Sequence, residues 1–272
     1  MIKITQLIDD NITSPLRPEH GLALWVEVRH ADGSEARLLL DTGQHAKVLE
    51  ANAARACVDL TSATAVVLSH GHYDHTGGLP LLASLGVRCP VFIGVDAERR
   101  RFSTQVGVAA DGRKMLKQIG MPYPEALKSL DVTRVSGIVG ASSSLTLFSL
   151  PTAAPANVRL LAADGVVADT FSDEVFALIS DGVHSVLFGG CTHHGLPQLL
   201  GFLKDNLGVG KVDLFVGGLH LQGQPEENVV AMADAVAGCG VGRWMAIHCS
   251  GDVARKVWSE RFSVVDNCVF SL

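Results

Sequence analysis

The chain has 272 residues, 47% of them hydrophobic and 18% charged, with a formal net charge of −6. That length and apolar share can bury a sizeable core, and so little polar sequence argues against disorder away from the ends. The acidic balance argues against a nucleic-acid partner, whose backbone is gripped by clustered Lys and Arg. No apolar run approaches the roughly 20 residues that span a bilayer.

Residues 1–10 alternate like a strand and lack the apolar core of a signal peptide. Residues 22–28 and 37–41 read as a strand pair joined by the turn Ala31-Asp32-Gly33-Ser34. The β-branched run 64–68 suits a buried strand. Further strands are expected at 89–93, 144–149, 175–179, 185–188, 213–216 and 244–247. Helices are expected at about 46–56, 78–85, 195–206, 225–238 and 252–260. Asn228–Val236 has the apolar spacing of a core-facing helix. Strands interleaved with helices indicate an α/β or mixed α+β chain, and no linker or repeat divides it, so residues 1–272 are read as one domain. The stretch 96–142 is the least regular, with Gly107, Gly112, Gly120, Pro122, Pro124, Gly137 and Gly140, and reads as a lid or binding loop. Arg99-Arg100-Arg101 near its start is a candidate grip for an anionic substrate.

Four expected strands run directly into histidines or acids. Residues 66–69 lead to His70-Gly71-His72-Tyr73-Asp74-His75, and 185–190 lead to Cys191-Thr192-His193-His194. Residues 214–219 lead to His220, and 244–247 lead to His248-Cys249. Ligands of open α/β sheets bind beyond the carboxyl ends of strands, and here candidate metal ligands gather at that position. In an extended segment positions i and i+2 point the same way, so His70 and His72 can reach one metal. The turn that follows carries Asp74 and His75 towards a second. Imidazole and carboxylate suit Zn, Fe or Mn, and Cys191 would favour Zn.

Ser69–Gly78 resembles the signature motif of the metallo-β-lactamase superfamily, and Asp41-Thr42-Gly43 resembles its D-T-G turn. More narrowly, the chain resembles one branch at Asp10-Asn11, Glu19-His20-Gly21-Leu22, Gly190–His193, Gly217–His220 and His248–Gly251. That branch contains the dihydropterin-condensing synthase of methanopterin biosynthesis and bacterial metal-dependent hydrolases. The resemblance implies a four-layer αβ/βα sandwich with the metal site at the strand ends between two sheets. It implies His70, His72, Asp74, His75 and His248 as ligands of two divalent metal ions, and Asp41 as support behind them. The chain departs from the family pattern in two places. No histidine occurs between His75 and His184, and Cys191 stands where the family carries an aspartate. His193 is therefore the candidate for the missing imidazole, with Cys191 a ligand or its neighbour. His20 and His220 are candidate pocket residues, His194 an exposed helix start, and His30 and His45 surface residues.

These residues imply a hydrolase acting on an ester, thioester, lactone or phosphoester through a metal-bound hydroxide, with Asp74 as proton acceptor. A dihydropterin-condensing transferase that releases pyrophosphate is the first alternative, and a mononuclear iron dioxygenase the second. The expected partner is a small, anionic molecule. Six cysteines without a C-x-x-C pair point to a reducing cytoplasm, unlike the exported lactamases.

Overall fold

The alternation of the early strands translates directly into layers. In Ala23–Arg29, Leu24, Val26 and Val28 face one core while Ala23 and Trp25 face another. In Glu35–Leu40, Leu38 and Leu40 oppose Leu39 in the same way. This is the period of two that a strand imposes. The computed structural model describes residues 1–108, 114–152, 154, 158–162 and 165–272.

The first sheet runs, in spatial order, Val269–Ser271, Ile2–Ile8, Ala23–Arg29, Glu35–Leu40, Ala65–Leu68, Pro90–Gly94 and Asp131–Val135. The second runs Val241–Ala246, Val212–Gly217, Ser185–Gly189, Phe176–Ser180, Leu145–Phe148 and Ile138–Ser142. Each is antiparallel in one half and parallel in the other, and the parallel halves carry the chain's chemistry. Ala65–Leu68 is buried at every position, as a strand covered on both faces must be.

Between the sheets lies one apolar core, to which Ile4, Val26 and Val67 contribute from the first and Leu147, Phe188 and Val216 from the second. Helices Ala46–Arg55 and Leu79–Leu85 cover the outer face of the first sheet through Leu49, Ala53 and Leu82. Helices Leu196–Leu207, Glu226–Val236 and Gly251–Arg261 cover the second. In the first of these, Leu196, Leu199, Leu200 and Leu203 are buried, the i, i+3, i+4, i+7 stripe of a core-facing helix. The layer order is helix, sheet, sheet, helix. No helix among the described residues is long and apolar enough to cross a membrane.

The stretch 96–142 is more regular than its glycines and prolines suggest. Asp131–Val135 closes the edge of the first sheet and Ile138–Ser142 the edge of the second. Arg101–Val108 and Lys114–Gln118 join Val158–Ala162 and Gly165–Ala168 in a third, four-stranded sheet. Most of these short strands are hairpins with a sequence neighbour, and only Asp131–Val135, on Pro90–Gly94, and the pairing of Arg101–Val108 with Val158–Ala162 reach far along the chain. Gly112 falls outside the described residues.

Candidate metal centre

Both sheets deliver side chains to one rim. Glu35–Leu40 and Ala65–Leu68 of the first sheet end at Asp41 and at Ser69-His70, while the parallel strands of the second end just before Cys191, His220 and His248. His184, by contrast, sits at the opposite end of Ser185–Gly189, in a turn held by Asp181. The loops at the rim are strained. Asp41, Thr192, His220 and His248 hold φ of 57°, 55°, 53° and 51°, a region that costs a non-glycine residue about 1–3 kcal/mol and collects at functional sites.

The hydrogen bonds set which ring nitrogens face inward. Asp41 is fully buried and accepts from the Ser69 amide (2.7 Å), Ser69 Oγ (2.7 Å) and His75 Nδ1 (2.7 Å). With its proton committed to Asp41, Ser69 Oγ accepts from His70 Nδ1 at 2.9 Å. His248 Nδ1 donates to Asp10 Oδ1 at 2.8 Å. In the neutral form that ligates a cation, with one donor and one acceptor nitrogen, each of these rings turns an Nε2 lone pair towards the cleft. His70 Nε2 lies 3.0 Å from His72 Nδ1 and 3.3 Å from His193 Nε2. Asp74 Oδ2 lies 3.5 Å from His248 Nε2 and 4.0 Å from His75 Nε2. Cys191 Sγ is 3.2 Å from His75 Nε2.

Acceptors facing acceptors in a dry site are unstable unless a cation sits among them. Among the described residues four donor groups have ligand atoms within 4.8 Å of one another, and two of them draw on the first motif: His70, Cys191 and His193, and His75, Cys191 and His248. The buried His72 Nε2 and His193 Nδ1 find no hydrogen-bond partner. The residues present thus fit a pair of borderline divalent cations, with Cys191 at the junction of the two sets.

The electrostatics agree. Burial pushes His70, His72 and His193 down, His72 to about 3, which keeps these rings neutral and able to ligate. Burial opposes ionisation of Asp74, but the charges and hydrogen bonds of His75, His20 and His248 hold it well below the usual carboxylate range. Hydrogen bonds to Asp10 (2.9 Å) and Asp74 (3.2 Å) push His20 up to about 9. His20, Asp74, His193, His220 and His248 open together onto a cleft of about 330 Å³, with Gln222 and Gln224 at its mouth.

Comparison with known proteins identifies the fold. Residues 36–156 match the family described as the beta-lactamase superfamily domain. A metal-dependent hydrolase of the beta-lactamase superfamily superposes with a TM-score of 0.82, covering 100% of this chain and 99% of that one at 22% identity. This is a metallo-β-lactamase-fold protein. Zn(2+)-bound PqqB from Methylobacterium extorquens shares the same fold at a TM-score of 0.60 and 13% identity, over 99% of this chain and 100% of that one. By sequence, the chain is 27% identical to a 7,8-dihydropterin-6-methyl-4-(beta-D-ribofuranosyl)-aminobenzene-5'-phosphate synthase of Methanocaldococcus jannaschii. That alignment covers 96% of this chain and 92% of the synthase.

Within the metallo-β-lactamase fold, three sequence expectations change. His194 is not an exposed helix start: it is buried, with Nδ1 bonded to Glu174 (2.6 Å) and Nε2 to the Thr152 carbonyl (2.8 Å). Arg101 grips no substrate, because it is buried against Asp169 and Asp173 at 2.6 Å each. Arg99 pairs with Asp96 and Arg100 lies over the Phe102 ring. His30 is half-buried, bonded to Ser144 and to the Asp181 carbonyl, whereas His45 is exposed as expected.

Apart from Asp10, which the branch resemblance marks, the residues that support the site carry no motif of their own. Asp10 joins His20 to His248. Glu174 accepts from the amides of His193 and His194 and so shapes the Cys191 loop. Asp173 accepts from the Gly71 amide at 2.7 Å, and a Cβ on Gly71 would stand 1.9 Å from the Ala97 carbonyl, so only glycine fits between His70 and His72. Ile119 and Gly120 pair with Tyr73 and His72, which makes part of the expected lid a wall of the metal loop. Phe171 stacks on His193 with ring centroids 3.8 Å apart. A run of acids just before a strand, Asp169 to Glu174, was the one legible hint.

Proposed function

We propose that this chain is a binuclear metal-dependent hydrolase of small molecules, with zinc the favoured ion. The observation that supports it most is the convergence of His70, His72, His193, Asp74, His75, His248 and Cys191 with their lone pairs aimed inward by Asp41, Ser69 and Asp10. His70, His72 and His193 would hold the first cation, and Asp74, His75 and His248 the second. A bound pair of divalent ions supplies water of lowered pKa and polarises a carbonyl or phosphoryl oxygen.

The protein's own residues do the rest. Asp74 is ionised, and its Oδ2 accepts the proton of the attacking water. His20, 3.2 Å away, hydrogen-bonds that carboxylate and steadies it at the edge of the cleft. Gln222 and Gln224 present amides at the cleft mouth that can orient a polar substrate. The carbonyl oxygen of an ester, thioester or lactone, or a phosphoryl oxygen of a phosphoester, is the group such cations would polarise. Screening zinc-reconstituted protein against one substrate of each class tests this reading. Hydrolysis that Asp74→Ala lowers by about a hundred-fold or more supports it; no turnover of any class, in protein carrying its full metal, contradicts it.

A second reading rests on the relative from Methanocaldococcus jannaschii, whose name is that of a synthase. The same centre would then activate a pterin pyrophosphate for condensation. Pyrophosphate released only when an aromatic amine acceptor is present would favour it over hydrolysis.

A further inference from the structure

Three consecutive parallel strands of the second sheet, Ser185–Gly189, Val212–Gly217 and Val241–Ala246, are paired with Gly189, Gly217 and Ala246 in register. Two or three residues beyond each end stands one soft or borderline donor: Cys191, His220 and Cys249. Their ligand atoms lie within 4.8 Å of one another. The donors of a tetrahedral zinc site stand about 3.5–3.8 Å apart, so a small adjustment of rotamers suffices. Cys191 and Cys249 are buried, and both line the cleft with His220.

Two features show that the loops are shaped for this approach. His220 is held at φ 53°, a conformation costly for histidine, and the imidazole is thereby carried back over the strand ends towards His193, with ring centroids 4.4 Å apart. Gly218 lies between the thiols. A Cβ there would stand 2.5 Å from Cys249 Sγ and 2.8 Å from the Gly190 carbonyl, so glycine lets the Cys249 thiol reach the Cys191 loop. Cys249 Sγ lies 3.9 Å from the Cys191 carbonyl oxygen.

We infer that Cys191, His220 and Cys249 form a further cation site, selective for thiophilic ions softer than zinc, such as cadmium, beside the histidine centre. A two-sulfur, one-nitrogen donor set is the softest in the described residues and disfavours magnesium or manganese. Each thiol releases its proton to solvent as the ion binds. The site rests on the metal-centre reading only through Cys191, which the two share. An excess of a soft ion therefore fills a position that the histidines and Asp74 do not serve.

Cadmium alone is the probe. The full chain is stripped, reloaded with cadmium, washed free of excess, and read for bound cadmium and for sulfur-to-cadmium charge-transfer absorbance. Cys249→Ser, nearly isosteric, is expected to bind one cadmium fewer than wild type and to lose part of the sulfur absorbance, with an unchanged circular dichroism spectrum. His220→Ala is expected to lose the same cadmium. Unchanged cadmium and absorbance in Cys249→Ser would overturn the site. His75→Ala separates the two readings: it is expected to lose a cadmium of the histidine centre while keeping the Cys249-dependent absorbance. If His75→Ala loses nothing and Cys249→Ser loses one cadmium, the histidine centre fails and the sulfur site stands.

Discussion

Asp10 and His248 are 238 positions apart in the chain and are joined by a 2.8 Å hydrogen bond. Asp10 also holds His20 through its other oxygen, so a single carboxylate orients one ring towards the cations and another towards Asp74. Burial opposes its ionisation, but the bonds from His20 and His248 outweigh that and hold Asp10 far below the usual carboxylate range.

The first prediction concerns that carboxylate. Asp10→Asn keeps the shape but can no longer accept from both rings. Metal affinity is expected to fall by about 10- to 100-fold, the usual effect of losing a carboxylate behind a ligand histidine. Competition against a chromogenic chelator measures it. An unchanged affinity would mean that His248 is not oriented through Asp10.

A second concerns Arg101, which is 1% exposed between two fully buried aspartates. Arg101→Met leaves both carboxylates without their cation and is expected to destabilise the fold by about 3–5 kcal/mol. Arg99→Met removes only the exposed pair with Asp96, worth about 0–1 kcal/mol. Urea denaturation of the two variants side by side checks the contrast.

Between those aspartates, burial raises Asp173 from 3.8 to about 6 despite Arg101. A carboxyl whose folded pKa lies above its unfolded value contributes stability that is fully present below the unfolded pKa and lost as pH rises through the folded one. The Asp173→Asn variant does not titrate there. Its melting temperature relative to wild type is therefore expected to climb between about pH 4 and pH 6 and to level off above. A flat difference across that window would contradict the assignment.

Metal binding should also be visible as stability, because the ligands are assembled only in the folded chain. Zinc at about 100 times its dissociation constant adds about 2.7 kcal/mol. Thermal melts with and without chelator should differ by several degrees in wild type and by much less in His70→Ala.

Much of this was legible in the sequence, and the reason is local. Strands such as Ala65–Leu68 and helices such as Leu196–Leu207 announce themselves by period and by apolar runs. His70, His72, Asp74 and His75 fall within six residues, so their joint use is a matter of short-range geometry. Asp10, Glu174, Asp173 and Cys249 are different. Their partners His248, His193, Arg101 and Cys191 lie 19 to 238 positions away, and only strand pairing within the second sheet, for Glu174 and Cys249, or contact between different sheets, for Asp10 and Asp173, brings them together. The edge strand Asp131–Val135 is hidden because its only ladder runs back to Pro90–Gly94, some way up the chain, whereas Ile138–Ser142 forms a local hairpin with Leu145–Phe148 and is hidden by its small, polar composition.

The most direct measurement is the metal content of the full chain, purified without chelator or affinity metal and dialysed free of excess ions, beside the same preparation of His75→Ala. About two zinc ions per chain, falling to about one in the variant, is the result expected of a binuclear centre built on His70, His72, His193, Asp74, His75 and His248. A single iron, or no metal even after reconstitution with zinc, would contradict it.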